Sequence, residues 1–288
     1  MGLGALRLLA PRPTIAGRPC RVLLPLTMNI RILGCSGSIA QGCRTTSFLL
    51  DDDILIDAGT GVGDLALEEL ARIDHILLTH SHLDHVLGVP LLADSVMRRR
   101  QGRPPIQVHA LAPTLQVLRQ HLFNDQLWPD FTRLPSAARP VLQLQPVEVG
   151  QVLAVGRAGR RIEVLPALHA VPACGFALEA PGGSDWVYTG DTGPNPALWA
   201  ALAARGRPTG QLVIEIAFPE SERKVAADSR HHCPSTLAEE LAGLPPGVEV
   251  LLTHIKPGEL DAIRADLAAR LPGARLQALE AGQTLQLN

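Results

Sequence analysis

Six residues, His80-Ser81-His82-Leu83-Asp84-His85, constrain this chain more than any other stretch. They follow the apolar run Ile76-Leu77-Leu78, a short buried-strand signal that ends at Thr79. Three imidazoles and a carboxylate crowded together lose free energy on partial burial unless something coordinates them. Neutral His nitrogen and Asp oxygen both ligate zinc and similar divalent ions. In an extended segment His80 and His82 project to one side and can share an ion, while Asp84 and His85, after a bend, reach toward a second position. The bland alternative is a polar loop with incidental histidines, a strand delivering residues that a loop merely presents.

Three more stretches repeat the arrangement. Ile162-Glu163-Val164-Leu165 leads through Pro166-Ala167-Leu168 to His169, Trp186-Val187-Tyr188-Thr189 leads through Gly190 to Asp191, and Val250-Leu251-Leu252-Thr253 leads directly to His254. Four apolar strands that each end just before a candidate ligand predict one site on one edge of the sheets. A further strand, Leu212-Val213-Ile214, ends in Glu215, and Ser229-Arg230-His231-His232-Cys233-Pro234 follows it.

Composition narrows the function. With 26 basic and 28 acidic residues, a net charge of -2 and only 3% aromatics, the chain shows neither the basic surface nor the stacking platforms of a nucleic-acid binder. No apolar run reaches the length of a membrane span. Five cysteines, an odd number without a CxxC pair, argue against a disulfide framework and for a reducing, cytoplasmic setting. Cys174 and Cys233 read as small buried hydrophobes. At 288 residues and 46% hydrophobic content the chain can bury a sizeable core, and no repeat or linker divides it. Residues 1–27 hold four arginines and no acid among scattered leucines and prolines. They read as an extension outside the fold, either a targeting segment or an upstream start, with a single domain spanning 28–288.

Elsewhere the chain predicts a strand from Ile30 to Cys35 and a Gly/Ser turn after it, a hairpin of 45–50 and 54–56 across a solvated Asp51-Asp52-Asp53 turn, and a helix over 86–97. Arg98-Arg99-Arg100 would sit where cations favour a helix C-terminus. A strand over 106–109 and a helix over 114–123 follow, with His109 and His121 as structural or surface histidines. Residues 126–140, carrying Trp128 and Phe131, read either as a pocket wall or as a cap on the core. Asp57, at a strand end, could orient a metal ligand from behind.

The hexapeptide and the later residues resemble the metallo-β-lactamase superfamily of binuclear metallohydrolases. That resemblance implies an α/β fold, an αββα sandwich of two mixed β-sheets flanked by helices. It implies that His80, His82 and His169 match the ligands of one metal, that Asp84, His85 and His254 match those of the other, and that Asp191 matches the bridging carboxylate. Asp57-Ala58-Gly59 matches the family's D-x-G. The ions would be zinc, or manganese or iron in its place. His82-Leu83-Asp84-His85, Gly190-Asp191-Thr192-Gly193-Pro194 and Thr253-His254-Ile255-Lys256-Pro257 resemble class II 3',5'-cyclic-nucleotide phosphodiesterases, on the ribonuclease Z-like side of the superfamily. One departure is an extra residue before Ser95 in the stretch after the metal motif. Only 21 residues separate His169 from Asp191, too few for the tRNA-clasping arm of ribonuclease Z. The implied reaction is hydrolysis of a small-molecule phosphodiester, a cyclic nucleotide such as cAMP, to the 5'-monophosphate through a metal-bridging hydroxide. His231 would act on the leaving oxygen with Glu215 holding its ring, His232 taking its place if the register differs by one, and Asp84 would serve both metal and catalysis. The alternative is a hydrolase of another phosphodiester, an ester or a lactone. The sequence leaves monomer and homodimer equally open.

Overall fold

The computed structural model describes Met1 and residues 27–287. The expectation for residues 1–27 therefore lies almost wholly outside the described residues.

Two seven-stranded mixed sheets stack face to face. In the first, Thr284–Leu287, Met28–Gly34, Ser47–Leu50 and Ile54–Ile56 pair antiparallel, and His75–Leu77, Ile106–Leu111 and Leu142–Val147 continue in parallel. In the second, Leu276–Ala278, Glu249–Thr253, Thr209–Glu215 and Asp185–Tyr188 run parallel, and Cys174–Glu179, Arg160–Pro166 and Val152–Val155 close the sheet antiparallel. The central strands are buried on both faces, which is why they read as unbroken apolar runs. Phe48, Phe176, Trp186 and Tyr188 fill the space between the sheets. Helix Gly88–Val96 covers the outer face of the first sheet through Val89, Leu92 and Val96. Helices Pro196–Ala204, Pro234–Leu241 and Leu260–Arg270 cover the second through Leu198, Leu237, Ile263 and Leu267. The αββα sandwich expected from the sequence is thus the observed fold. Among the described residues no helix is long and apolar enough to cross a membrane.

Several local expectations need correction. The helical signal begins inside the hexapeptide: Leu83–Val86 is already a helical turn, so Asp84 and His85 are presented by a helix and only His80 to His82 by a loop. Arg100 does more than meet a helix dipole. It is buried, and its guanidinium donates to the carbonyls of Ala71, Ile73 and Pro104 and to Asp74. The acidic turn is not merely solvated either, since Asp53 is buried against Arg157 and Asp51 pairs with Arg160. The helix near residue 114 is split into Ala112–Val117 and a wider turn, Leu118–Leu122. In residues 126–140, Phe131 is buried and Trp128 packs on the first sheet's outer core, which favours the cap over the pocket wall. His109, read as structural or surface, is buried, and its Nε2 lies 3.1 Å from Nδ1 of His75 on the neighbouring strand.

Candidate metal centre

In both sheets the parallel strands deliver polar residues at their carboxyl ends, the edge at which open α/β sheets present ligands. Ile54–Ile56 ends at Asp57, a non-glycine residue in the left-handed region at φ 53°. Such backbone persists only where the surroundings over-determine it. Here the next two amides are committed, Ala58 N–H to His85 O at 2.7 Å and Gly59 N–H to Thr46 O at 2.9 Å. Gly59 has no room for a side chain, because a Cβ would lie 2.4 Å from Thr45 Oγ1 and 2.5 Å from Asp84 O. The Asp-x-Gly turn and the hexapeptide are therefore packed as one unit.

Asp57 is completely buried and accepts from four donors: the Thr79 amide at 2.8 Å, the Thr79 hydroxyl at 2.9 Å, His85 Nδ1 at 2.8 Å and the Tyr188 hydroxyl at 3.0 Å. Two tautomers follow. His85 donates through Nδ1, so its Nε2 faces the cluster. The Thr79 hydroxyl spends its proton on Asp57, so its oxygen accepts from His80 Nδ1 at 2.9 Å and His80 Nε2 is likewise turned inward. Asp57→Ala is expected to destabilise the fold by about 3–5 kcal/mol, because a buried charge network loses its centre. Denaturant unfolding read at constant m-value measures this.

Asp191 sits at the meeting point. Gly190, at φ 64°, makes the turn before it, and a Cβ there would approach Cys174 O to 2.5 Å. Asp191 Oδ2 lies 3.3 Å from His254 Nε2, 3.4 Å from His85 Nε2, 3.7 Å from His80 Nε2 and 4.0 Å from His169 Nε2. His169 donates Nδ1–H to the Arg230 carbonyl at 3.2 Å, so its Nε2 carries the lone pair, 3.1 Å from His82 Nδ1. His254, at φ 63°, is set by its own strained backbone and by Gly37, which packs against its ring.

The electrostatics fit a cation. Burial, with neighbouring imidazoles adding to it, holds His80 and His254 well below the ordinary histidine value and His169 at about 4, keeping them as neutral lone-pair donors. Burial also lowers His82. Burial opposes charge on His85 too, but the Asp191 and Asp57 carboxylates outweigh it and raise this histidine well above the usual value. Burial works against the Asp191 carboxylate, yet His254 and His85 hold it well below the usual range. The two carboxylates thus require positive charge between them, from a proton on His85 or from a metal. His80 Nε2, His85 Nε2 and Asp191 Oδ1 are buried without a hydrogen-bond partner among the described residues. Each orphaned group costs about 1–3 kcal/mol unless something satisfies it. The donor set, imidazole nitrogens and carboxylate oxygens without thiolates, suits divalent ions.

All seven residues singled out as ligands come together. His80, His82, His169 and Asp191 form one group of potential ligand atoms within 4.8 Å of one another, and Asp84, His85 and His254 form a second. Beside them Glu215, completely buried, accepts from His231 Nδ1 at 2.8 Å and from the Thr192 amide at 3.1 Å. The His231 ring stacks on His254 at 5.2 Å and meets His169 edge-on at 4.8 Å. Burial alone would lower His231, and the Glu215 carboxylate overcomes it to raise the imidazole above its ordinary value. His232 turns away, toward Thr236 and Glu240, and burial depresses it to about 3. Cys174 and Cys233 are buried and contribute nothing to the cluster.

Sequence reasoning passed over Thr79, Tyr188 and Arg230. Thr79 and Tyr188 were visible only as strand residues. Arg230 ends helix Arg223–Ser229 in the left-handed conformation, receives His169 through its carbonyl and returns a guanidinium hydrogen bond to His169 O at 2.8 Å.

Comparison with known proteins agrees with this architecture. The family described as the beta-lactamase superfamily domain matches residues 52–255. A probable 3',5'-cyclic-nucleotide phosphodiesterase from Yersinia pestis is 26% identical over 276 residues, covering 78% of this chain and 77% of the relative. A ribonuclease Z from Bradyrhizobium diazoefficiens is 26% identical over 307 residues, covering 86% and 97%. The crystal structure of unliganded yeast PDE1 superposes with a TM-score of 0.76 at 20% identity, over 91% of this chain and all of that one. On the strength of the matched span and the shared fold, the chain belongs to the metallo-β-lactamase superfamily of metal-dependent hydrolases.

Proposed function

We propose that residues 28–288 form a binuclear metal-dependent phosphodiesterase that hydrolyses 3',5'-cyclic nucleotides to nucleoside 5'-monophosphates. The observation that carries the reading is the convergence of four imidazole nitrogens on Asp191 Oδ2, with the His231–Glu215 pair alongside. In this reading His80, His82 and His169 would hold one divalent ion, zinc or a similar metal, Asp84, His85 and His254 would hold the other, and Asp191 would be available to both. Such ions supply an activated water near neutral pH and screen the charge of the phosphoryl oxygens.

The rest falls to the chain. Asp57 and Thr79 fix the His85 and His80 rings, and the Arg230 carbonyl fixes His169, so the inward nitrogens need no reorientation. Glu215 holds His231 through Nδ1, leaving Nε2 to protonate the leaving oxygen or stabilise its developing charge. Asp84, whose side chain is 29% exposed and so the most open to solvent of its ligand group, would accept the proton of the attacking water. The name of the Yersinia relative and the Gly190-Asp191-Thr192-Gly193-Pro194 turn support a cyclic nucleotide as substrate.

The metal-loaded protein assayed side by side on cyclic AMP, cyclic GMP and bis(p-nitrophenyl) phosphate is expected to turn over at least one cyclic nucleotide, with the 5'-monophosphate as product. Activity confined to the generic diester would overturn the cyclic-nucleotide assignment.

A further inference from the structure

The chain has 26 basic residues, of which 24 are arginine and only Lys224 and Lys256 are lysine. Lys224 is an exposed helix residue paired with Asp228 four positions on. Lys256 is different. It lies two residues beyond His254, and its ammonium donates to Gly37 O at 2.6 Å. Gly37 packs against the His254 ring, where a Cβ would come 3.0 Å from Cδ2. The same ammonium lies 5.8 Å from the centre of the Phe218 ring, and Phe218 in turn meets His231 edge-on at 5.7 Å. Lys256 is therefore held between the wall that carries His254 and the wall that carries His231. No carboxylate lies within ion-pair distance of it among the described residues.

An ammonium has three donors, and Gly37 takes one. A half-buried cation without a carboxylate partner, fixed by one carbonyl and one aromatic face, is arranged to receive an anion. We infer that Lys256 is the contact for the negative charge of the substrate's phosphoryl group, and that it selects anionic phosphodiesters over neutral esters. The inference rests on the phosphodiesterase reading and deepens it. The neighbouring cluster supplies the hydrolytic chemistry, and Lys256 supplies affinity for the charge, largely equal in ground and transition states. Its loss should therefore appear in KM more than in kcat. The competing role is structural, a pin for the loop carrying Gly37.

The test compares wild type, Lys256→Met and Lys256→Arg, all metal-loaded, on bis(p-nitrophenyl) phosphate, with p-nitrophenyl phosphate as an added inhibitor. In Lys256→Met, KM for the diester and Ki for the monoester dianion should each rise about tenfold, the loss of one charge-assisted hydrogen bond, while kcat stays within about threefold. Lys256→Arg, which keeps the cation, should recover most of that loss. An unchanged KM and Ki in Lys256→Met overturns the inference. So does a fall in kcat with lower melting temperature and lost metal, which identifies a loop pin. If wild type does not hydrolyse the diester, the phosphodiesterase reading fails, a result separate from any difference between variants.

Discussion

Asp191→Asn is expected to leave the protein folded and to strip its metal. Asparagine keeps the volume and one carbonyl oxygen, but it removes the charge on which four imidazole nitrogens converge. The histidines would then have to share cations without a bridging anion, in a site from which water is largely excluded. Metal affinity should drop by about a hundredfold or more, beyond the usual cost of losing a group that merely supports a ligand. Turnover should fall on the order of a thousandfold, the rate equivalent of several kcal/mol of lost metal-ion stabilisation. Metal content after dialysis against a weak chelator is the decisive measurement. Retention of two ions per chain by the variant would remove Asp191 from its proposed place.

The second large effect separates chemistry from metal binding. His231→Ala should lower kcat by about a hundredfold to ten-thousandfold, the range expected for loss of a positioned proton donor, with metal content unchanged. Glu215 holds the His231 ring, which is not among the seven expected ligands, so its removal takes a packing face from His254 and His169 but no ligand atom. His232→Ala is the matched control. That ring faces Thr236 and Glu240, so its loss should affect stability and leave turnover within a few fold. Unchanged turnover in His231→Ala would sink the role assigned to it, and equal losses in both variants would point to a structural cause.

The strand ends were legible in the sequence because buried parallel strands are continuous apolar runs, and a polar residue terminating one stands out locally. That signal places His80, His169, Asp191, Glu215 and His254 on one edge without any knowledge of packing. What escaped depends on distant partners. Asp57 is joined to Tyr188 across 131 positions, and Thr79 looks like an ordinary strand terminus until its hydroxyl is seen between Asp57 and His80. Just before His231 and His232, Arg230 has a left-handed backbone at φ 55° that no local pattern announces. The burial of Arg100 escapes local patterns for the same reason, since three of its four acceptors are carbonyls contributed by other segments or by the turn beyond it. The helical turn Leu83–Val86 is too short for periodicity to reveal.

The pairing of Thr284–Leu287 with Met28–Gly34 bears on how the protein is born. Strands so far apart in sequence pair only after everything between them has been made, and such non-local closure is intrinsically slow. His80, His82, Asp84 and His85 leave the ribosome long before His254, so four of the seven proposed ligands have no counterpart until the second sheet is made. Any ion captured early would be held by those four alone, with water and cellular ligands competing for its open positions. In the proposed reading the final choice of metal would therefore fall to the closed sandwich, where Asp57, Thr79 and Arg230 lock the His85, His80 and His169 rings.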